Sequence, residues 1–286
     1  MAIKAPVIRS QQTGENGTSQ AESPRRTQGG VKGPAFIRAT GERNRRLIVN
    51  IEGEEKSGKD HMALTYNEGP IYLHSFDIGT EGVVDKFAPG GEFWYEGRPD
   101  IMIAEYELEM QPGEGSAKEV GSAAGRVWDG FVSNYKDSVL SAKANQGLVI
   151  VDTGTEMWEL LRLASFGKLT QVMPHHYGPV NAEMRELVRF AYEGHCAALL
   201  HKSVDEWENY VGSDGKEKGR KTGRKGRKGF SDMPFLVQCN VQCWREDLET
   251  GGSNFWATVI DCRQNPDLNN TTIGNDFNEL LAMALK

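Results

Sequence analysis

The chain reads Gly53-Glu54-Glu55-Lys56-Ser57-Gly58-Lys59-Asp60 directly after the largely apolar run Leu47–Ile51 and before His61-Met62-Ala63-Leu64. A strand, a glycine-bracketed loop, a lysine and then a helix is the layout of a phosphate-binding P-loop. In such a loop successive backbone N–H groups point inward, and the helix that follows adds the partial positive charge of its N-terminus. The stretch therefore predicts a nucleotide site in which Lys59 contacts the β- and γ-phosphates.

The last position of the motif departs from the usual pattern, because Asp60 replaces the Ser or Thr whose hydroxyl binds Mg²⁺. A carboxylate here is a candidate metal ligand, but without metal it places negative charge beside the phosphates and weakens nucleotide binding. An ordinary glycine-containing strand–helix turn is the alternative interpretation. The predicted nucleotide contacts are Gly53, Glu54, Glu55, Lys56, Ser57, Gly58, Lys59, Asp60 and His61.

Composition limits the class of protein. With 286 residues, 38% hydrophobic and 26% charged, the chain suits one large α/β domain or two small ones. No apolar run approaches the roughly 20 residues that span a bilayer, and the N-terminus has no apolar signal region, so we expect a cytoplasmic protein without membrane contact. The four cysteines form no CxxC pair and are expected to be buried thiols.

Positive charge is concentrated in one segment of an acidic chain. The net charge is −7, yet residues 216–228 contain eight basic residues and one acid. The interspersed glycines predict a mobile, non-helical loop that contacts a polyanion, with a merely solvated loop as the alternative. Base stacking would require the flanking Trp207, Tyr210 or Phe230. The basic residues are Lys216, Lys218, Arg220, Lys221, Arg224, Lys225, Arg227 and Lys228.

A second apolar run, Leu148–Val151, ends at Asp152. A buried parallel strand that ends in a carboxylate beside a P-loop is the second motif of P-loop NTPases, where the acid holds Mg²⁺. Any buried strand can end in Asp, so Asp152 indicates a metal site only in combination with the P-loop upstream. Glu156 follows at the start of the next predicted helix and is a candidate for polarising an attacking water. Its alternative is a first-turn acid that complements the helix dipole.

Two further strand ends carry polar side chains. The predicted strand Ile71–Phe76 is followed by Asp77 and Glu81, and ligands bind at this edge of open α/β sheets. Helix capping and solvation are the alternatives for these two acids. The predicted strand 195–202 places His201 at the same edge as Asp152, as a group that contacts the γ-phosphate or its water, or as a structural strand cap.

The remaining segments are predicted from periodicity and composition. Residues 1–35 are read as a disordered polar tail, and 36–286 as the folded domain. Apolar residues at helical spacing predict a helix over 117–143, and 183–193 and 277–285 are predicted as further helices. Residues 173–181 are read as an irregular loop. Period-2 alternation over 235–244 and a second strand at 255–262, separated by the turn 249–253, predict a β-hairpin.

Over roughly residues 46–263, these motifs together resemble the RecA-type core ATPases encoded by bacteriophages. These are compact, single-domain relatives of RecA and Rad-type recombinases and are often described as single-strand annealing proteins. The resemblance rests on the P-loop, Ser75-Phe76-Asp77, Leu148–Asp152, Leu199-Leu200-His201-Lys202 and the basic segment with its hairpin. It implies a mostly parallel sheet flanked by helices, ATP and Mg²⁺ as ligands, single-stranded DNA bound at one edge, and assembly into homo-oligomeric rings or filaments in the host cytoplasm. A single-strand DNA-binding protein is a further implied partner.

Carried over by position, the resemblance assigns phosphate binding to Lys59, water-mediated Mg²⁺ binding to Asp152, nucleotide sensing to His201 and DNA binding to 216–228. It provides no clean equivalent of the water-activating glutamate, for which Asp77 and Glu81 are the local candidates beside Glu156. Two other functions stay open. One is a nucleotide or small-molecule kinase with a Ser-Gly-Lys-Asp loop and a basic lid. The other is a catalytically silent interaction module.

Overall fold

The computed structural model describes residues 46–109, 113–211, 213 and 215–286, without the side chains of Ile78, Glu81 and Arg224. The predicted tail 1–35 lies outside the described residues. The strands are β1 (Ile48–Gly53), β2 (Ile71–Ser75), β3 (Ile101–Glu105), β4 (Leu148–Asp152), β5 (Cys196–Val211), β6 (Glu217–Arg227), β7 (Cys239–Asp247), β8 (Ser253–Cys262) and β9 (Thr271–Gly274). The helices are α1 (Lys59–Leu64), α2 (Glu81–Val84), α3 (Ala117–Asn145), α4 (Gly154–Phe166), α5 (Tyr177–Phe190), α6 (Met233–Leu236) and α7 (Phe277–Ala284).

A mostly parallel sheet organises the described residues in the order β3-β2-β4-β5-β1-β7-β8-β9. The pairs from β3 through to β7 are all parallel, whereas β8 and β9 join antiparallel at one end. Parallel strands need covered faces, and the near-continuous apolar runs of β1 and β4 fit that requirement. The predicted mixed α/β sheet flanked by helices is confirmed.

Helices cover both faces of the sheet, and the sheet separates the hydrophobic core into two clusters. Side chains of β1, β2, β4 and β5 that alternate toward one face pack against α1 and α7, for example Ile51 and Leu200 against Met62. The intervening residues face α3, α4 and α5, for example Val151 and Leu199. Strand alternation therefore decides which polar side chain at each strand end reaches the α1 side, where the predicted phosphate loop, residues 53–60, lies.

The long helix α3 begins as its sequence requires. Ser116 is the N-cap, its hydroxyl accepts from the N–H of Glu119, and the Glu119 carboxylate accepts from the N–H of Ser116. This reciprocal capping box satisfies two N–H groups that have no partner inside the helix. The predicted helix over 117–143 is confirmed and extends to Asn145. None of the described helices is both long and apolar enough to cross a membrane.

The basic segment is not a loop, so that prediction was wrong in its secondary structure. Strand β5 continues past the sheet, and β6 pairs with it antiparallel from Ser203↔Arg227 to Val211↔Glu217. We call this two-stranded projection, residues 203–227, the ribbon. Glycine and lysine have low strand propensity, but opposite charges face each other across the two strands, as Glu208 and Arg220 do.

Three other predicted boundaries differ from the structure. Residues 173–181 contain a short 3₁₀ turn at Pro174–His176 and the start of α5 rather than an irregular loop. The predicted helix 183–193 therefore begins earlier, at Tyr177. The period-2 run begins as the short helix α6, and the strand starts at Cys239, although the hairpin of β7 with β8 forms as predicted. The final strand β9 has no signal in the sequence interpretation.

Candidate functional site

The phosphate loop has the backbone that its glycines predict. Lys56 and Gly58 both adopt positive φ, 59° and 89°, which turns the peptide N–H groups of the loop to one side. At Gly53 an added Cβ would lie 2.3 Å from the hydroxyl oxygen of Ser57, so only glycine fits there. The Asn275 side chain donates to the carbonyl of Gly58 at 2.9 Å and ties the loop to the end of β9. The glycines of the loop thus allow its shape, and Asn275, from a distant part of the chain, holds it in place.

Lys59 is the first residue of α1 and is buried. Its ammonium group donates to the carbonyl of Glu54 at 2.9 Å, so it lies back across its own loop. A buried ammonium needs an anionic or polar partner, and one backbone carbonyl uses only one of its three N–H donors. The position suits a cation that exchanges this carbonyl for phosphate oxygens.

Two carboxylates that the sequence predicts as metal ligands, Asp60 and Asp152, lie near each other and near Lys59. Asp152 ends β4 on the face that carries α1, and Asp60 follows Lys59 in the helix. Burial first and the neighbouring Asp60 second raise the pKa of Asp152 to about 7, although the Thr80 hydroxyl donates to it at 2.8 Å. Burial likewise raises the pKa of Asp60, against the nearby charge of Lys59. Two close acids that resist ionisation are a charge distribution that a divalent cation would relieve.

Lys202 is the residue that the sequence interpretation missed. Its ammonium lies 2.6 Å from a carboxylate oxygen of Glu156 and 3.2 Å from one of Asp77. Burial raises the pKa of Asp77, but hydrogen bonds from Lys202 and the N–H of Gly79 outweigh it, so the net shift is downward. Two of the three acids predicted as catalytic candidates, Asp77 and Glu156, are therefore brought together by one cation. The alternation of side chains along β5 could have identified it, because Lys202 lies on the same face as Leu200, which packs on the α1 side.

Glu156 lies in the first turn of α4 and is also held by the cap of that helix. Thr153 is the N-cap, its hydroxyl accepts from the N–H of Glu156 at 3.2 Å, and the same hydroxyl lies 3.0 Å from the Glu156 carboxylate. Lys202 supplies the third contact. The carboxylate is thereby fixed in the first turn of α4 near the end of β4, a position that fits both predicted roles, water activation and complementing the helix dipole.

His201 lies at the predicted edge but faces the other side of the sheet. It has no exposed surface, and an added Cβ at Gly154 would lie 2.5 Å from its Nε2, so the ring packs under the start of α4. Burial lowers its pKa to about 3, and Nδ1 lies 3.1 Å from the carbonyl of Leu199. The ring is thus a neutral core group under the start of α4, so the structure does not bring His201 to the α1 side with Lys59 and Asp152.

The other predicted site residues differ in what they contact. His61 packs against Phe87 and Phe93, with ring centroids 5.1 and 4.8 Å apart, and burial lowers its pKa. Lys56 and Glu55 form an exposed pair at 3.8 Å. The side chain of Glu81 lies outside the described part of the chain, as does that of Arg224.

Acidic partners on the ribbon neutralise much of the basic segment. Both Lys221 and Lys225 pair with Asp205, and their hydrogen bonds lower the pKa of that carboxyl to about 2. Lys225 also lies 2.9 Å from a carboxylate oxygen of Glu54, so the ribbon touches the phosphate loop. Residues 203–228 together carry eight basic and five acidic side chains, a net charge of +3 rather than the +7 of 216–228 alone.

The other basic residues of 216–228 have separate surroundings. Arg220 pairs with Glu208 at 2.5 Å and Lys228 with Glu159 at 2.9 Å. Burial lowers the pKa of Arg227, which lies near Glu52. Lys216 and Lys218 lie on the exposed outer part of the ribbon.

Aromatic rings accompany the cations on the ribbon. Trp207 is 63% exposed, and the Lys221 ammonium lies 5.8 Å from its ring centroid. Tyr210 lies on the opposite face of the ribbon, with the Arg220 guanidinium 5.2 Å from its ring. The ribbon therefore presents a flat ring and a cation on each face, the combination that stacks bases and holds phosphates.

The residues present fit a nucleotide with Mg²⁺. Ser57 has a buried hydroxyl oxygen with no partner among the described residues, in a loop whose glycine positions leave no room for side chains. The raised pKa values of Asp60 and Asp152 indicate that the site lacks positive charge. Asp152 and Asp60 would hold the metal, and Lys59 with the loop N–H groups would hold the phosphates.

Comparison with known proteins adds little to this geometry. No protein-family model and no curated protein matches the sequence. A solved ATPase from the type III secretion system of pathogenic bacteria is similar to 68% of the chain at 12% identity, with a TM-score of 0.35. The similar region spans about half, 51%, of that ATPase. A TM-score of this size establishes no common fold, so the site is assigned from its own residues.

Proposed function

We propose that the protein is a RecA-like P-loop ATPase that binds ATP with Mg²⁺ and binds single-stranded DNA through the ribbon, in annealing or recombination. The observation that carries the nucleotide half is the meeting of Lys59, Asp60 and Asp152 beside a glycine-shaped loop. Lysine supplies charge to phosphates, and the carboxylates supply oxygen ligands to Mg²⁺. Glu156, held by Lys202 and Thr153, is the best-placed candidate for orienting a water.

The DNA half rests on the ribbon. Exposed Trp207 and Tyr210 each carry a cation over the ring, which favours a strand whose bases are unpaired over a duplex. The ribbon continues from β5, the strand that also places Lys202 in the site. Phosphates would take over cations that are now paired with Asp205 and Glu208, so the expected binding is salt-dependent and moderate in strength.

Nucleotide binding is tested by titrating a fluorescent ATP analogue with Mg²⁺ into the full chain. Lys59→Ala should lower the affinity at least tenfold, because it removes the buried cation of the site. Lys56→Ala is the matched control, since this lysine lies in the same loop with 78% of its side chain exposed. Equal affinities of the two variants would reject the phosphate site.

Turnover and DNA binding separate the competing functions. Phosphate release and anisotropy of a labelled single-stranded oligonucleotide are measured with and without ATP. Transfer of phosphate to a nucleoside monophosphate with no oligonucleotide binding would favour a kinase. Oligonucleotide binding that ignores both ATP and Lys59→Ala would favour a catalytically silent module.

A further inference from the structure

Cys239 and Cys262 face each other across the C-terminal hairpin. They are direct register partners on β7 and β8. Of the other two cysteines, Cys243 lies opposite Ala257 and Cys196 lies beside Leu148. None of the four cysteines, which all lie in the described part of the chain, is in a disulfide.

The hydrogen bonds show which kind of antiparallel pair this is. The N–H of Arg263 donates to the carbonyl of Gln238 at 2.8 Å, so the residues just outside the cysteines form the hydrogen-bonded pair. The N–H of Cys262 donates to the Asn269 side chain instead of across the strands. Cys239 and Cys262 therefore form a non-hydrogen-bonded pair, in which Cα atoms are about 4.5 Å apart and side chains approach most closely. A disulfide spans Cα separations of about 4.4–6.8 Å, so it requires no backbone movement here.

The two thiols also differ in chemical character. The Cys239 thiol donates to the Cys262 sulfur, and the N–H groups of Asn265 and Gln264 support it further, so the pKa of Cys262 is lowered despite burial. The pKa of Cys239 is raised by the same hydrogen bond and by burial. Burial raises the pKa of Cys243 to about 12. Cys262 is therefore the more acidic thiol of the pair and is 2% exposed, whereas Cys239 has no exposed surface, so Cys262 is the candidate attacking cysteine and Cys239 the candidate resolving one.

We propose that Cys239 and Cys262 are a reversible dithiol–disulfide pair that closes across β7 and β8 when the protein meets a hydroperoxide. The Cys262 thiolate attacks one peroxide oxygen, the O–O bond breaks, and Cys262 becomes a sulfenic acid while the departing hydroxide takes up a proton as water. The Cys239 sulfur then attacks the Cys262 sulfur. The S–OH bond breaks, and the hydroxide leaves as water with the Cys239 proton. Two thiols lose two electrons in total, and hydrogen peroxide is reduced to two waters.

The experiment treats the folded full-length chain with hydrogen peroxide, quenches it in acid, alkylates free thiols after unfolding and maps peptides by mass spectrometry. The expected result is a fall from four free thiols to two. The expected cross-linked peptide joins Cys239 to Cys262, and dithiothreitol restores all four thiols. Four surviving thiols, or a cross-link between other cysteines or between chains, would overturn the proposal.

Variants test the two roles separately. Cys196→Ser and Cys243→Ser are the matched controls and should still form the cross-link. Cys239→Ser should stop at a sulfenic acid on Cys262, which a cyclic 1,3-diketone captures, whereas Cys262→Ser should leave Cys239 reduced. Sulfenic acid on Cys239 instead would contradict the assignment. The wild-type peptide map decides the pairing even where a variant does not fold.

Discussion

At the scale of single residues, the site is defined by an excess of acids around one buried lysine. Asp60 departs from the usual P-loop residue, and its charge acts on Asp152 as well as on any bound phosphate. In the proposed nucleotide site, a carboxylate in this position therefore acts on metal binding, on nucleotide binding and on the stability of the metal-free protein.

The first prediction concerns pH. Asp152 has a pKa of about 7 in the folded protein, against about 4 in the unfolded chain. Because the pKa is higher in the folded state, protonated Asp152 favours folding. Its contribution to the free energy of unfolding is fully present below about pH 4 and is lost as the pH rises through 7. Asp152→Asn should therefore be more stable than the metal-free wild type at pH 8, by on the order of 4 kcal/mol, with little difference at pH 4. Denaturant unfolding at both pH values measures this.

The control for this experiment is Asp129→Asn, at an exposed position of α3. It should shift the free energy of unfolding little at either pH. An Asp152→Asn variant with the same pH slope as the wild type would contradict the raised pKa of Asp152.

The second prediction concerns Asp60. Without divalent metal, Asp60→Thr should bind the ATP analogue about fivefold more tightly, since removing one like charge near the phosphates is worth about 1 kcal/mol in a partly solvated site. Titration in the presence of a chelator measures the metal-free affinity for the analogue. Glu55→Thr, which removes an exposed acid of the same loop, is the control variant. Unchanged or weaker metal-free binding by Asp60→Thr would show that the carboxylate does not repel nucleotide.

At the scale of elements, β5 connects the two halves of the proposed function. It leaves the parallel sheet at Lys202, where the side chain holds Asp77 and Glu156, and continues as the first strand of the ribbon. One strand therefore places a cation in the nucleotide site and aromatic rings in the proposed DNA site.

The third prediction tests Lys202. Lys202→Gln should lower the rate of phosphate release at least tenfold while reducing nucleotide affinity much less, because it frees Glu156 rather than removing a loop contact. Phosphate release and analogue titration are measured together. Lys143→Gln, which breaks only an exposed pair with Glu193, is the control. Parallel losses in binding and rate would instead indicate a direct phosphate contact by Lys202.

The fourth prediction separates stacking from charge on the ribbon. Trp207→Ala should weaken oligonucleotide binding by about 1–3 kcal/mol per stacked base and leave the salt dependence unchanged. Lys221→Gln should instead flatten the slope of log affinity against log salt by about 0.7. Anisotropy at several salt concentrations measures both. Trp244→Ala, an exposed tryptophan of the other hairpin, should have no effect, and an equal loss there would reject the ribbon as the DNA site.

At the scale of the whole molecule, the sheet has one apolar edge. Strand β3 ends the described sheet, and Met102 and Ile103, which point to opposite faces, are 43% and 47% exposed. Unprotected apolar edge strands favour association between chains. We therefore propose β3 as the contact between copies of the chain in the rings or filaments that the resemblance to RecA-type ATPases implies.

The fifth prediction follows from that edge. With Mg²⁺ and the ATP analogue, sedimentation should show particles larger than the 31.7 kDa monomer, and Met102→Lys should shift them toward the monomer. Met173→Lys is the matched control, because this methionine is 60% exposed in a connecting segment. Equal effects of the two substitutions would place the contact elsewhere.

Much of the architecture followed from the sequence alone. The P-loop layout, the apolar strand ending at Asp152 and the helical spacing of α3 are local patterns, because neighbouring residues within one element produce them. Sequence also placed Asp77 and Glu156 at the correct strand and helix ends. Local patterns therefore predicted the parallel sheet and most acids of the site.

Only the tertiary structure decided the partners of those residues. Which of two adjacent residues, His201 or Lys202, enters the site depends on the face that β5 turns to α1, and packing sets that face. The basic segment became a strand because the acids of β5 lie opposite it, a pairing that no local propensity contains. The chain thus encodes its phosphate loop locally, whereas the charges around Lys59 are set by residues that meet only after folding.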